Sequence, residues 1–436
     1  MATFFTLIQL LGVIGLGLWT LNTLKILNHI EWLLSITLAF AIGIGLYGWI
    51  LFFFGVFRLF EPNIFIILLL IATTGVWFAK PKKLPQFRAP DLFGIALLAS
   101  ITLICSFDVI ESLTPPGDGD SLAYHYNIPK LFKEYGGIIF IKQAFDGAVP
   151  LLTHLTYTSA LSIGGEQALV FWSMVTGWAT AALLYTIART YLNQNWSLII
   201  TLLYLSVPAN VFAGGTGHVE PRLGLFALTA AWAVSHATGA SGHKGAIVAG
   251  LASGFYAGTK FLGLFFAAAV AFTLLVKKKR LNYFITFSLT SAAIGFQWYF
   301  WNWLHTGDPV FPVLFDWIGK ETLDWWPKEF NKSIKEKYFG VEVVLAQNLW
   351  NLIAYPFIAS FASIPVFEAK LTGFGPYAAL ILPIVIYSLW KFKDALWSHD
   401  LCYYALIGLF FYIIWFLWGP SQRIRHLLPI LPLFFL

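Results

Sequence analysis

Residues 115–130, PPGDGDSLAYHYNIPK, bring two carboxylates (Asp118, Asp120), an imidazole (His125), two phenols (Tyr124, Tyr126) and an amine (Lys130) into one short polar stretch of an otherwise apolar chain. A carboxylate placed beside a hydroxyl can take its proton, so general-base chemistry is within reach of this set. Spaced as Asp-x-Asp, Asp118 and Asp120 also offer oxygen ligands to a divalent cation. The glycines at 117 and 119 make the same stretch an ordinary turn. Upstream, Asp108 and Glu111 close an apolar run, where an ionisable group is costly unless a site needs it. Four acids thus gather at one membrane edge. His125 alone fits a hydrogen-bonded structural imidazole as readily as a functional one.

Three other stretches hold polar groups at odds with their surroundings. Glu220, in GTGHVEPRLGL, opens an apolar run beside His218 and Arg222; the helix dipole favours an acid there, so capping is its alternative role. Lys260, in AGTKFLG, separates two short apolar runs and requires an anionic partner, either a phosphate or a carboxylate of the site. Arg423 and Arg425 precede the last apolar run and read either as phosphate ligands or as anchors whose stems snorkel to the interface.

The elements that must position these groups are membrane helices. The 436 residues are 58% hydrophobic and 11% charged, with a mean hydropathy of +0.74, whereas soluble domains carry about 25% charged residues. The apolar runs have the length that crosses about 30 Å of hydrocarbon as a helix, and none shows the ten-residue alternation of a barrel. The expected fold class is therefore all-α and polytopic transmembrane. The net charge of +6 does not indicate nucleic acid, because the basic residues sit in short loops and not on one polar face. Cys105 and Cys402 lie in separate apolar runs, which argues against a disulfide or a two-cysteine metal site. The 42 Phe and 19 Trp suit interfacial belts and lipid-facing spans without any cofactor.

Basic loops set the expected topology. Lys80, Lys82, Lys83 and Arg88, then Arg189, His243 with Lys244, Lys277 through Arg280, and Lys391 with Lys393 are assigned to the cytoplasm. The alternation gives about thirteen spans, with two long external loops at 113–166 and 305–370. Residues 128–135 are predicted to form an amphipathic interfacial helix, and the apolar piece 149–163 to lie along the membrane. Gly12, Gly15, Gly17, Gly43, Gly45 and Gly48 are predicted to serve close helix packing. Met1 enters an apolar run with no basic n-region or cleavage site, so a retained first helix is expected. The final run begins at Leu427 and stops with the sequence, as in a truncated chain.

Taken together, five stretches resemble the GT-C type of multi-spanning glycosyltransferase that uses lipid-phosphate-linked sugars, related to protein mannosyltransferases and aminoarabinose transferases. PPGDGDSLAYHYNIPK is similar to the first external loop of that family, whose aspartate is the base; the match falls on Asp120, with Tyr124 and His125 in corresponding positions. GHVEPRLGLFAL resembles the stretch with an acid opening a later helix, here Glu220. AGTKFLGL matches a Gly-Thr-Lys element at Gly258, Thr259 and Lys260. NWLHTGDPVFPVL carries Asp308 where asparagine is usual, and SQRIRHLLPILPL matches at Arg425 with His426 replacing tyrosine. His154 stands where relatives often have glutamate, and Trp301 where an arginine is common. The resemblance covers residues 91–436 as a catalytic module and leaves the helices of 1–90 outside it.

The resemblance implies a membrane glycosyltransferase of the cell envelope, in a bacterial inner membrane, with its site on the external face. Its partners would be a polyprenyl-phosphate sugar donor and a lipid, glycan or protein acceptor. Asp120 would deprotonate the acceptor hydroxyl, with inversion at the anomeric carbon. Asp118, Tyr124, His125, Glu220, Lys260, Arg423 and Arg425 would bind substrate, and a divalent cation, if used, would sit on Asp118 and Asp120. The alternative is a transporter or flippase of a lipid-linked saccharide, which should show charges near mid-membrane and repeats between its halves.

Overall fold

The computed structural model describes all residues except 79–88, 143–146, 238–241, 279–280, 321–322, 337–340, 363 and 368–372. The basic residues Lys80, Lys82, Lys83, Arg88, Lys279 and Arg280 lie outside the described residues.

The protein is all-α, with no strand among the described residues. The principal helices are α1 (Ala2–Thr23), α2 (Trp32–Val56), α3 (Pro62–Thr73), α4 (Leu92–Ser112), α5 (Asn127–Tyr135), α6 (Leu152–Tyr191), α7 (Gln194–Leu205) and α8 (Pro208–Gly214). They continue with α9 (Glu220–Ser235), α10 (Gly242–Thr259), α11 (Leu262–Thr273), α12 (Leu281–Thr306), α13 (Leu349–Phe361), α14 (Tyr377–Lys391) and α15 (Leu401–Trp418). Five of these, α1, α2, α4, α6 and α15, are long and apolar enough to cross a membrane, or six spans if α7 and α8, bent by 76° at Ser206–Val207, count as one. It is a multi-pass membrane protein.

The helix breaks follow local chemistry. Pro208 starts α8 where α7 has ended at Leu205, because proline lacks an N–H for the helix ladder and suits its first turn. Within α6, Gly165 adopts φ 77°, dividing the element into 152–164 and 166–191. Residues 152–161 are all buried in protein, with Gln9 Nε2 donating to the Thr156 carbonyl at 2.9 Å and Tyr47 hydrogen-bonded to Ser159 at 2.7 Å. The expectation that 149–163 lies along the membrane fails for that reason: its small and hydroxylated face packs on α1 and α2, and no side is left for lipid. The amphipathic helix expected at 128–135 is α5, which turns Ile128, Pro129 and Phe132 inward and ends at Gly136 in the left-handed conformation.

Helices α1, α2 and α6 meet through small residues. A Cβ on Gly17 would overlap the Ala39 carbonyl, one on Gly43 the Val13 carbonyl, and one on Gly45 the ring of Phe255 in α10. Glycine thus lets backbones touch where water cannot drive helices together. The N-terminal helices share one continuous hydrophobic core with residues as distant as Leu433.

At the centre stands α9, all of whose residues are buried. It packs against α10, α6 and α15. A helix enclosed by protein needs small and apolar side chains on every face, which GLFALTAAWAV supplies.

Replacing Gly17 or Gly43 by valine should lower stability by about 1–3 kcal/mol or more through overpacking. Gly119→Ala, where an added Cβ meets nothing within 4 Å, should stay within about 0.5 kcal/mol. Thermal unfolding of purified protein in detergent, followed by tryptophan fluorescence, provides the comparison.

Candidate functional site

Four chain segments converge at one end of the bundle: residues 113–126 after α4, the start of α6, the 215–220 turn into α9, and the α10–α11 junction. Residues 423–427, after α15, close the group. The polypeptide after α4 turns tightly, because the Ser121 amide donates to Asp118 Oδ1 at 2.8 Å and starts the single wide turn Ser121–His125. Ser121 Oγ in turn accepts from the Gly217 amide at 2.8 Å, fastening this loop to the turn before α9. A Cβ on Gly217 would come within 2.7 Å of His125 Cβ, so only glycine allows the approach.

Arg222 holds the same turn from behind. Its guanidinium is buried and donates to the carbonyls of Ser173 (2.7 Å), Ala213 (2.8 Å), Gly214 (2.9 Å), Thr216 (2.9 Å) and His218. Asp108, bonded to Trp178 Nε1 at 2.7 Å, lies against Gly214, and Glu111 lies against Gly215. These two acids of α4 therefore buttress the turn from outside the cluster that the other acids form.

The cluster is built around Glu220, whose side chain is only 1% exposed. Lys260 Nζ donates to Glu220 Oε1, Arg425 Nε lies 3.8 Å from the same oxygen, and His218 Nδ1 is 3.7 Å from Oε2. Arg425 Nη1 also donates to Asp120 Oδ2, a contact spanning 305 residues of sequence. Asp120 is 32% exposed, against 15% for Arg425 and 17% for Lys260. It forms the mouth of the site and Glu220 its floor.

The imidazoles form the inner wall. His125 Nδ1 and His154 Nε2 share a hydrogen bond at 2.8 Å, with the rings stacked within 3° of parallel. The His125 ring also faces His218 at 5.3 Å and Tyr124 at 3.9 Å between centroids. His218 Nε2 lies 3.3 Å from Asp118 Oδ1. Burial alone would push the Asp118 carboxyl up, but hydrogen bonds from His218 and from the side chain and amide of Ser121 outweigh it and hold the group down at about 2. For His218 burial favours the neutral form, yet the carboxylates of Asp118 and Glu220 on either side raise its pKa. Burial, reinforced by the neighbouring His154 and His218, drives His125 well below the usual imidazole range, so it is neutral.

Of the residues picked out by sequence, Asp118, Asp120, Tyr124, His125, Glu220, Lys260 and Arg425 come together. Arg423 does not join them: its Nη2 bonds Glu342 at 2.6 Å, while the adjacent Gln422 accepts from the amides of Val344 and Leu345. Lys130 pairs with Glu166 at the surface. Asp308, where the resemblance leads one to expect asparagine, accepts from the amides of Val310 and Leu314 at 2.8 Å and shapes its own turn.

The chain was found similar to no protein-family model, curated protein or solved structure.

Two members of the site, His154 and His218, were not among the predicted ligands. His218 had a signal, since it precedes Glu220 by two residues; His154 showed only as a departure from a family pattern. A cavity of about 1480 Å³ lies away from the site at the other end of α4, lined by Glu31, Asp91, Trp178 and Arg189 among others. Its lining brings no imidazole beside its carboxylates, unlike the cluster around Glu220.

Lys260→Met should cost about 3–5 kcal/mol of stability, because it leaves Glu220 buried with its nearest cation removed. Adding Glu220→Gln should recover most of that loss. Unfolding midpoints of the two single variants and the double variant, run as a cycle, test the coupling.

Proposed function

We propose that the protein is a GT-C-like membrane glycosyltransferase, with about thirteen spans and a site on the external face, that moves a sugar from a polyprenyl-phosphate donor to an acceptor hydroxyl. The observation that carries the reading is the ion-pair chain Asp120–Arg425–Glu220–Lys260. It unites the residues of four stretches that together carry the resemblance, and leaves the partly exposed Asp120 carboxylate in front of two cations.

The arrangement suits the chemistry. A donor phosphate entering beside Lys260 and Arg425 would compete with Asp120 for the guanidinium. Binding the donor would then free the Asp120 carboxylate for the acceptor at the same moment. Asp120 takes the hydroxyl proton, the oxygen attacks the anomeric carbon from the face opposite the phosphate, and the C–O bond to phosphate breaks with its electron pair leaving on the phosphate. The product is inverted. Phosphate is a good leaving group, so one base suffices where a glycoside hydrolase uses a second carboxyl as acid. Lys260 and Arg425 hold the charge that develops on the departing phosphate, commonly the largest catalytic contribution.

Asp120→Asn keeps the shape and loses the basicity, and it should reduce transfer by about 10²–10⁴-fold with donor affinity nearly intact. Asp118→Asn should be milder, since Asp118 supports His218 and the 118–121 turn. The assay is sugar transfer by purified protein in detergent from a polyprenyl-phosphate sugar. A wild-type protein that transfers nothing, yet carries the lipid-linked sugar across a liposome bilayer, would make it a flippase instead.

The external placement has its own check. A cysteine at Gly117, where the backbone is open to solvent, should be labelled by an impermeant maleimide added to whole cells, and a cysteine at Lys244 only after lysis. The opposite pattern would place the site inside the cell.

A further inference from the structure

We infer that Asp120, His125 and His218 form a binding site for a single zinc-class divalent cation. One ligand atom from each of the three lies within 4.8 Å of the others. Ordinary zinc distances of about 2.0–2.2 Å call for a modest inward movement of these atoms. This claim concerns binding and does not rest on sugar transfer.

The orientation of the two imidazoles carries the inference. A metal-bound histidine uses one ring nitrogen as ligand and anchors the other on a hydrogen-bond partner, which fixes the tautomer and the ring plane. His125 engages His154 through Nδ1, leaving Nε2 fully buried with no partner. His218 directs Nε2 to the Asp118 carboxylate, leaving Nδ1 toward the site, where it meets Arg425 Nη1 at 3.4 Å and Glu220 Oε2 at 3.7 Å. An orphaned buried nitrogen is costly in a packed interior and is the kind of group a ligand satisfies. The carboxylate–imidazole pair formed by Asp118 and His218 matches the outer-shell pattern of zinc sites, in which the Nε2 proton stays on the pair and the metal takes Nδ1.

Donor type selects the ion. Two imidazoles and one carboxylate suit zinc and its first-row neighbours, whereas magnesium and calcium prefer oxygen throughout. This is a different site from the Asp118–Asp120 pair expected from the Asp-x-Asp spacing, because Asp118 turns to His218 and acts as its support. Three carboxylates, Asp118, Asp120 and Glu220, lie around the two imidazoles, with Lys260 and Arg425 paired to Glu220 and Asp120. Three protein ligands leave at least one position open to water or to a substrate oxygen.

The experiment uses the full chain in detergent, stripped with a chelator and then loaded with zinc or cobalt(II). About one equivalent should survive gel filtration, and zinc-edge X-ray absorption of wild-type protein should show two imidazoles in the first shell. His125→Ala and His218→Ala should each weaken binding by at least about tenfold, and His154→Ala by about 10–100-fold, as expected for a ligand and for its support. His243→Ala, at the opposite end of the bundle, should leave it unchanged. Absence of retained metal in folded wild-type protein, or a first shell without imidazole, would overturn the inference, as would equal affinity in the His125→Ala/His218→Ala protein. The absorption measurement stands even if a variant fails to fold. Metal bound without sugar transfer would instead count against the transferase reading alone.

Discussion

A carboxylate sealed at the start of the central helix constrains everything around it. Glu220 is 1% exposed, and an isolated charge at that depth would cost many kcal/mol if nothing balanced it. The balance comes from three separate places in the chain: Lys260 at the α10–α11 junction, Arg425 after α15, and His218 in the turn before α9. Each must reach the same two oxygens, which fixes where those elements end. The site's geometry is thus a consequence of satisfying one buried charge.

A second ring of contacts makes that arrangement rigid. Arg222 collects main-chain carbonyls from Ser173, Ala213, Gly214, Thr216 and His218, so the turn carrying His218 and Glu220 is held from the side away from the cluster. Ser121 and Asp118 secure the loop after α4, and Gly217 allows that loop to come close. Their role is to keep Asp120, the most exposed acid of the group, facing Arg425 across the mouth. The bundle behind them depends on glycine contacts between α1 and α2 and on the wholly buried α9, so the site stands on a tightly packed base.

Arg425 is shared between the two acids: its Nη1 donates to Asp120 Oδ2, and its Nε lies 3.8 Å from Glu220 Oε1. Lys260 donates to the same Glu220 oxygen, so two cations meet the buried acid while the more exposed Asp120 has one of them. A carboxylate closer to solvent needs less compensation than one sealed in protein.

The sequence by itself determined the membrane character, the all-helical class and the six close-packing glycines, because hydropathy and residue size are local properties read directly along the chain. It also marked Asp118, Asp120, His125, Glu220, Lys260 and Arg425, which meet in one cluster, since a charge in an apolar setting is conspicuous wherever it falls. Only the tertiary structure decided which of them meet. The pairing of Asp120 with Arg425 across 305 residues, of His125 with His154, and of Arg423 with Glu342 depends on how helix ends are brought together, for which no local pattern exists. The helices that pass for membrane spans were also a tertiary matter: α9 is enclosed by protein and needs no lipid-facing length, and α7 and α8 bend where a single apolar run reads as straight. The segment 149–163 shows the limit most clearly, because an apolar stretch looks the same whether lipid or protein covers it, and here α1 and α2 do.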